Sequence, residues 1–506
     1  MNYSTNQLFN IIPLFVALPL FGAFILSLVK PKRAGDILSN LINLFLLVLS
    51  FVLLRYGTLV YKIGGWEPVN GIPIGIYWVK DGLSTLMLII VNLVALIATI
   101  FSVDYMEKFT EKNRYYCLFL LMLAGMNGVI LSGDMFNLFV FLEIAAISSY
   151  SLVAFGTESE ELEAAFKYQV MGTVASSFIL LGIALLYSYT GTLNMADMAK
   201  VLAIKNSQLP ITNYQLPIFV ACLFIMGFGM KAAIMPFHAW LPDAHPSAPA
   251  PISAMLSGVL IKALGVYALV RIMFNIIGMT PMLSNILLVL GALSIMGGVV
   301  SAIGQWDFKR LLAYHSISQV GYIILGIGLG TPLGILGGLF HLLNHSVFKS
   351  LLFLNSGAVV YATGTRDLQQ MGGLNKRMPV TGDSSFIASM SIAGVPPFNG
   401  FWSKLIIIIA CIQANRIGFA IWAIIGSILT LASFMKVQRY AFFGSLNEKW
   451  KEIKEVPGFM RSAMIILAVL CIVMGLLLVP QVRDVFLAPA VEVLKNGVDY
   501  AKTVLM

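Results

Sequence analysis

Glu143, Lys231, Lys262, His315, Lys349 and Lys404 fall inside stretches that otherwise have the composition of lipid-spanning helices. A charged side chain at mid-bilayer costs roughly 2.5–3.5 kcal/mol on insertion scales. A chain that only had to cross a membrane would not carry six such groups. What they share is the ability to take up and release a proton, so proton transfer is the chemistry they point to. Glu143 is the one acid deep within its span and is the natural counter-charge for Lys231. Apolar surroundings disfavour an ammonium, and an approaching carboxylate restores it. A buried lysine with a movable acid partner is therefore a switch. A permanent structural ion pair also explains Glu143 with Lys231, but it leaves the remaining lysines over.

His341, His345 and Lys349 recur every fourth residue in 341-HLLNHSVFK-349, which predicts one helix face about 12 Å long, with Asn344 beside it. His315, Ser318, Gln319 and Tyr322 repeat the pattern at i, i+3, i+4 and i+7. A polar seam joining helices explains a single Ser or Gln. Three titratable groups in file fit a proton relay better, because histidine exchanges protons near neutrality. Lys262 lies eleven residues beyond Pro251, roughly 16 Å into a helix and near mid-membrane.

These groups need a membrane scaffold, and composition supplies it. The chain is 59% hydrophobic and 11% charged, with a mean hydropathy of +0.89. Apolar segments long enough to cross a ~30 Å hydrocarbon core recur from end to end. The pattern predicts an all-α polytopic protein of about 14 spans, at 8–29, 36–56, 81–103, 115–133, 135–155, 165–190, 215–236, 249–274, 283–304, 309–330, 333–360, 382–412, 416–443 and 460–480. Segment 8–29 is too long for a secretory signal and has no basic lead-in. Basic residues gather in loops of one parity: Lys30 to Arg33, Lys108 to Arg114, Lys309 with Arg310, Arg366 to Arg377, and Lys436 to Lys454. The positive-inside rule then places both termini on the outer face. The net charge of +9 thus sets orientation and does not indicate nucleic acid. The run 158-ESEELE-163 is expected as a solvated loop, and Asp104, Glu107 and Glu111 as surface charges.

Four scattered cysteines lack the spacing of a zinc, redox or iron–sulfur site, and no phosphate loop or H-E-x-x-H is present. No metal or cofactor is expected. Two spans are interrupted by proline. In 227-GFGMKAAIMPFHAWLPDAHP-246, Pro236 frees the carbonyl of Ala232, and 393-AGVPPFNGFWSK-404 repeats the device. Freed backbone groups at this depth survive only inside protein or beside water. Broken helices at matching positions point to an inverted repeat and to the ion path.

The runs 245-HPSAPAPISAMLSGVLIKALGVYAL-269, 236-PFHAWLPDAH-245, 341-HLLNHSVFKSLLFL-354 and 134-DMFNLFVFLE-143 closely resemble the antiporter-like subunits. These occur in respiratory complex I, in Mrp-type multisubunit Na+/H+ antiporters and in membrane-bound hydrogenases. The resemblance covers roughly 80–480. It implies two inverted five-helix repeats, at 115–280 and 281–445, between three N-terminal helices (1–114) and a last helix with a short tail (446–506). It also implies roles: Glu143 and Lys231 as the functional pair, Lys262 as the central lysine, His315 as the connecting histidine, His341 and His345 on helix eleven, and Lys404 at the exit. A lysine at that last position is similar to the D-type subunits of Mrp antiporters and to the hydrogenase type. The function implied is proton translocation within a hetero-oligomeric complex of a prokaryotic cell membrane, driven by a redox module or by Na+ exchange. No electron chemistry is expected in the chain itself. The alternative is a stand-alone secondary carrier for a small solute or cation, which would need a roomy pocket where this sequence sets its titratable groups in line.

Overall fold

Short polar side chains start the helices of this fold. Asp81, Asp134, Thr280, Asp307 and Thr331 each accept a hydrogen bond from the backbone N–H three residues on. Each satisfies a donor that the helix leaves unpaired at its N-terminus. This computed structural model describes residues 11–208 and 215–505. It begins with α1 (Leu14–Leu28) and α2 (Lys32–Leu53), followed by an antiparallel hairpin of β1 (Leu59–Lys62) and β2 (Tyr77–Lys80), with Leu59 opposite Lys80. Next come α3 (Gly82–Tyr105), α4 (Lys112–Leu131), α5 (Met135–Val153), α6 (Ser159–Thr190), α7 (Met195–Gln208), α8 (Gln215–Lys231) and α9 (Leu241–Ser247). The central helix α10 (Ala250–Ile277) widens to π-helical turns over Leu256–Tyr267, around Lys262. The second half holds α11 (Pro281–Ile303), α12 (Phe308–Gly328), α13 (Pro332–Thr363), α14 (Pro379–Ala393), α15 (Asn399–Gln413), α16 (Ile417–Val437) and α17 (Gly458–Val473). Three short helices end the chain: α18 (Pro480–Phe486), α19 (Ala488–Lys495) and α20 (Tyr500–Leu505).

Among the described residues, ten helices are long and apolar enough to cross a membrane, and Leu14–Leu28, Leu216–Lys231 and Asn399–Gln413 are shorter apolar helices. Residues 8–10 of the expected first span lie outside the described residues. The most apolar windows of α10 and α12 are 94% buried, against 33% for α16 and α17. The polar residues of α10 and α12 therefore face protein. So do those of α13, which is buried from Gly337 through Val359. The outer helices present isoleucine and other apolar residues instead.

The two halves share a turn. Met135 N–H donates to the Leu193 carbonyl and Met195 N–H to the Gly133 carbonyl; 173 residues later (133 to 306, 195 to 368) Phe308 N–H donates to Arg366 and Leu368 N–H to Trp306. The helices leading into these turns, α6 and α13, each have 32 residues and each end on a glycine at φ 75°. Such a left-handed residue is what a helix C-terminus favours when the chain must turn away. Each half then carries its interrupted helix, α8–α9 or α14–α15.

Several expectations need correction. The acidic run 158–163 is not a loop: Glu158 caps α6 and residues 159–163 form its first turns, largely exposed to solvent. Helix N-termini accept acids there because the helix dipole is positive at that end. Two residues expected as loop charges are buried. Lys112 bridges Asp36 (2.9 Å) and Glu107 (2.8 Å), and Lys309 donates to the Ala248 carbonyl at 2.7 Å. The short C-terminal tail packs on the core, where Asn275 donates to the carbonyls of Val493 and Gly497 and fastens α19 to α10. The hairpin is the one sheet in an otherwise helical chain among the described residues.

Candidate functional site

Lys231 is the last residue of α8, and its amine lies 3.6 Å from Glu143 Oε1 on α5. The same amine donates to the Tyr150 hydroxyl at 3.3 Å. Ser176 on α6 donates to Glu143 Oε1. The pair is unequally placed: the Lys231 side chain is 4% exposed and that of Glu143 is 28% exposed. The acid thus has room to move while the lysine is enclosed. Tyr150 meets Tyr168 edge-on at 4.5 Å, and Tyr168 is stacked on Trp240. Trp240 in turn donates to the Met230 carbonyl at 2.9 Å, which ties the aromatic column to the end of α8.

The α8 helix stops at Lys231, several residues before Pro236, and the chain turns through Ala233 at φ 54°. The proline therefore sits within the break instead of starting it. The turn is pressed against α10: a Cβ on Gly265 would stand 2.5 Å from the backbone of Ala232. This places the interruption inside protein, as unpaired backbone groups at membrane depth require.

Lys262 is fully buried at the centre, and its ammonium donates to the Ser257 carbonyl. The hydroxyls of Ser257 and Ser316 are 2.7 Å apart, and Ser316 donates to the Leu312 carbonyl at 3.1 Å. Lys349 donates to that same carbonyl. Two buried lysines on α10 and α13 are thus joined through three residues and no acid. Sequence reasoning misses Ser257, Ser316 and Leu312; serine is too common at helix contacts for its spacing to mark a role.

At the far end, the Lys404 amine on α15 donates to the Ile392 carbonyl at 2.7 Å and to Ser427 at 3.3 Å. It lies 4.7 Å from the centre of the Tyr322 ring. Ile392 belongs to the last turn of α14, where unpaired carbonyls make a partial negative charge that favours a cation. Gly400 makes this approach possible, since a Cβ there would fall 1.8 Å from the Ser391 carbonyl oxygen. Tyr322 is 5.4 Å from the His341 ring, and His341 lies 6.3 Å from His345 with planes 18° apart. His341 Nδ1 is 2.9 Å from Ser403 Oγ. His341 Nε2, both nitrogens of His345 and both amide atoms of Gln319 are buried without a hydrogen-bond partner among the described residues. Buried polar atoms of that kind are normally satisfied by ordered water.

The expected file is therefore only partly one file. His341 and His345 do stack along α13, but Lys349 turns aside to α12 and lies 5.5 Å from the Phe353 ring. His315 contacts Ser433 (2.8 Å) and Phe434 on α16 and neither lysine. Ser318 and Tyr322 donate to carbonyls of Ile295 and Ala423 and join helices. A further buried charge inside a span escapes the sequence reading: Arg271 on α10 grips Asp81 with two hydrogen bonds, at 2.7 and 2.9 Å. Its signal is present all the same, because an arginine within an apolar helix demands a buried acid. Among the described residues, no group of three His, Cys, Asp or Glu side chains could hold a metal ion.

Two family models match the chain. "NADH:quinone oxidoreductase/Mrp antiporter, TM" matches residues 132–430, and "NADH-Ubiquinone oxidoreductase (complex I), chain 5 N-terminus" matches 66–116. The chain is 35% identical to the D subunit of the Na(+)/H(+) antiporter of Alkalihalophilus pseudofirmus over 496 residues, covering 96% of this chain and 98% of that protein. It superimposes on a chain of the Mrp complex from Dietzia sp. DQ12-45-1b with a TM-score of 0.88 and 28% identity, covering 98% and 99% of the two chains. A chain of the membrane-bound sulfane sulfur reductase, an archaeal respiratory membrane complex, superimposes with a TM-score of 0.85 and 33% identity, covering 97% and 99%.

Proposed function

This chain belongs to the NADH:quinone oxidoreductase/Mrp antiporter transmembrane family, and from that premise we propose that it carries protons across a prokaryotic cell membrane along its buried lysines and histidines. It is an antiporter-like subunit of a multisubunit complex. A proton rests on Lys262, crosses by water beside the two serine hydroxyls toward Lys349, and leaves past His345, His341 and Tyr322 to Lys404. His315 flanks this route at Ser433. Glu143 governs Lys231 by moving toward it or away, and that pair sets the charge that Lys262 can tolerate. The observation that carries this reading is the hydrogen-bonded series between Lys262 and Lys349.

Residues 115–280 and 281–445 serve as the inverted halves, which the shared turn at a 173-residue offset supports, flanked by 1–114 and 446–506. Both termini lie on the outer face. Moving one charge against 100 mV costs about 2.3 kcal/mol. That energy comes from partner subunits, through a redox module or a sodium gradient. The test is transport by the intact complex in vesicles carrying Glu143→Gln or Lys231→Ala. Coupled proton movement should stop while the complex still assembles; full transport in both variants would overturn the proposal.

A further inference from the structure

Away from the lysine series, a cleft of about 450 Å³ opens where α2 ends and α3 begins, closed on its other side by α18–α20. Its wall holds Lys80, which is almost completely buried. The Lys80 amine donates to the Tyr56 and Gly57 carbonyls, the second at 3.0 Å. An ammonium has three N–H donors, so one is left for something in the cleft. The neighbouring acid, Asp81, cannot serve as its counter-ion in full, because both carboxylate oxygens are engaged by Arg271. The other acid in the lining, Glu492, pairs with Lys495 at 3.3 Å. Arg55, at the rim, has no carboxylate within ion-pair distance among the described residues. The cleft therefore presents two cations that no carboxylate holds in an ion pair among the described residues. Val485, Phe486 and Pro489 form an apolar patch on the opposing wall, beside Glu492, Asn496 and Thr503.

We propose that this cleft binds a phosphate-bearing ligand, with the phosphate between Lys80 and Arg55. Arginine offers a fork that fits phosphate oxygens, and lysine adds a point charge. The apolar patch and the position at the ends of two membrane helices make an anionic phospholipid headgroup the better fit over free phosphate. Its glycerol and first acyl carbons would cover Phe486 and Pro489. A buried cation capped by carbonyls gains from such an anion, since the nearest acid, Asp81, is already shared with Arg271.

The experiment uses the intact complex in detergent, titrated with dioctanoyl phosphatidylglycerol, dioctanoylglycerol or inorganic phosphate, and reads binding from the shift of its thermal midpoint. Phosphatidylglycerol should raise the midpoint, and Arg55→Gln should weaken that response at least tenfold. Arg55 is exposed, so this variant keeps the fold where Lys80→Gln loses a buried cap. A response to inorganic phosphate that saturates and displaces the lipid would support the site and assign it to free phosphate. Equal stabilisation by dioctanoylglycerol, no response in the unmodified complex, or an unchanged response in Arg55→Gln and Lys80→Gln together would overturn the proposal.

Discussion

The indole of Trp240 and the phenol ring of Tyr168 lie face to face, 4.1 Å apart and inclined by 7°. Trp240 stands just beyond the break and Tyr168 stands on α6, so the stack clamps the break to the Glu143–Lys231 pair through Tyr150. Aromatic pairs of this kind contribute about 0.5–1.5 kcal/mol beyond their burial. Trp240→Ala should cut coupled proton transport by roughly tenfold without removing a charge. Tyr168→Phe loses only the hydrogen bond from Ser149 (3.0 Å) and should transport nearly normally. Proton flux in vesicles, normalised to assembled complex, distinguishes the two; equal effects would mean that the stack is not what matters.

The hydroxyls of Ser257 and Ser316 connect the Lys262 side of the series to the Lys349 side. Ser316→Ala leaves both lysines in place but interrupts the link, and a lost neutral hydrogen bond is worth about 1 kcal/mol. Transport should fall severalfold, and Ser316→Thr should restore most of it. A fully active Ser316→Ala complex would count against a proton path beside this hydroxyl.

Asp81 and Arg271 form a buried pair, and neither has a second ion-pair partner among the described residues. Removing one partner of such a pair typically costs about 3–5 kcal/mol, whereas replacing both with apolar residues is often close to neutral. Asp81→Leu should therefore lower the thermal midpoint more than the double variant Asp81→Leu with Arg271→Met. Additive losses would show that the two residues do not act as a pair.

Lys80 also sets a pH dependence. Burial lowers its pKa to about 8, with Asp81 opposing the shift. Below pH 8 the folded and unfolded chains both hold the proton. Between about 8 and the ordinary value of 10.5 the folded chain sheds it first, so the unfolded chain binds more protons and stability rises with pH. In lipid-free detergent the thermal midpoint, compared with that of Lys80→Gln, should climb across this window. A parallel course for the two proteins would remove Lys80 as the source.

What can be read in advance follows from how strongly each feature is written locally. Apolar runs of about 20 residues and the prolines at 236 and 396–397 mark the spans and both interruptions. Charged residues in those runs expose Glu143, Lys231, Lys262 and Lys404 because their cost at depth is so high. The series from Lys262 to Lys349 stays hidden, since it depends on π-helical turns in α10 and on a backbone carbonyl of α12. Neither has a side-chain signature. His341 and His345 share a face because helical periodicity decides that. Lys349 escapes it because a long flexible side chain reaches whichever acceptor lies nearest.

Lys231 ends the segment ahead of its break, whereas Lys404 follows the break of its own helix. On the proposed topology the chain enters these two interrupted helices from opposite sides, because they are the seventh and twelfth spans. The Lys404 amine reaches back to the Ile392 carbonyl ahead of its break, so on that topology both amines lie at the level of the breaks. Charge rearranged between these two ends of the protein moves nearly parallel to the membrane plane and is almost invisible to the electric field. The voltage then acts on the steps by which a proton reaches that level or leaves it, and those are where a change in membrane potential should alter the rate.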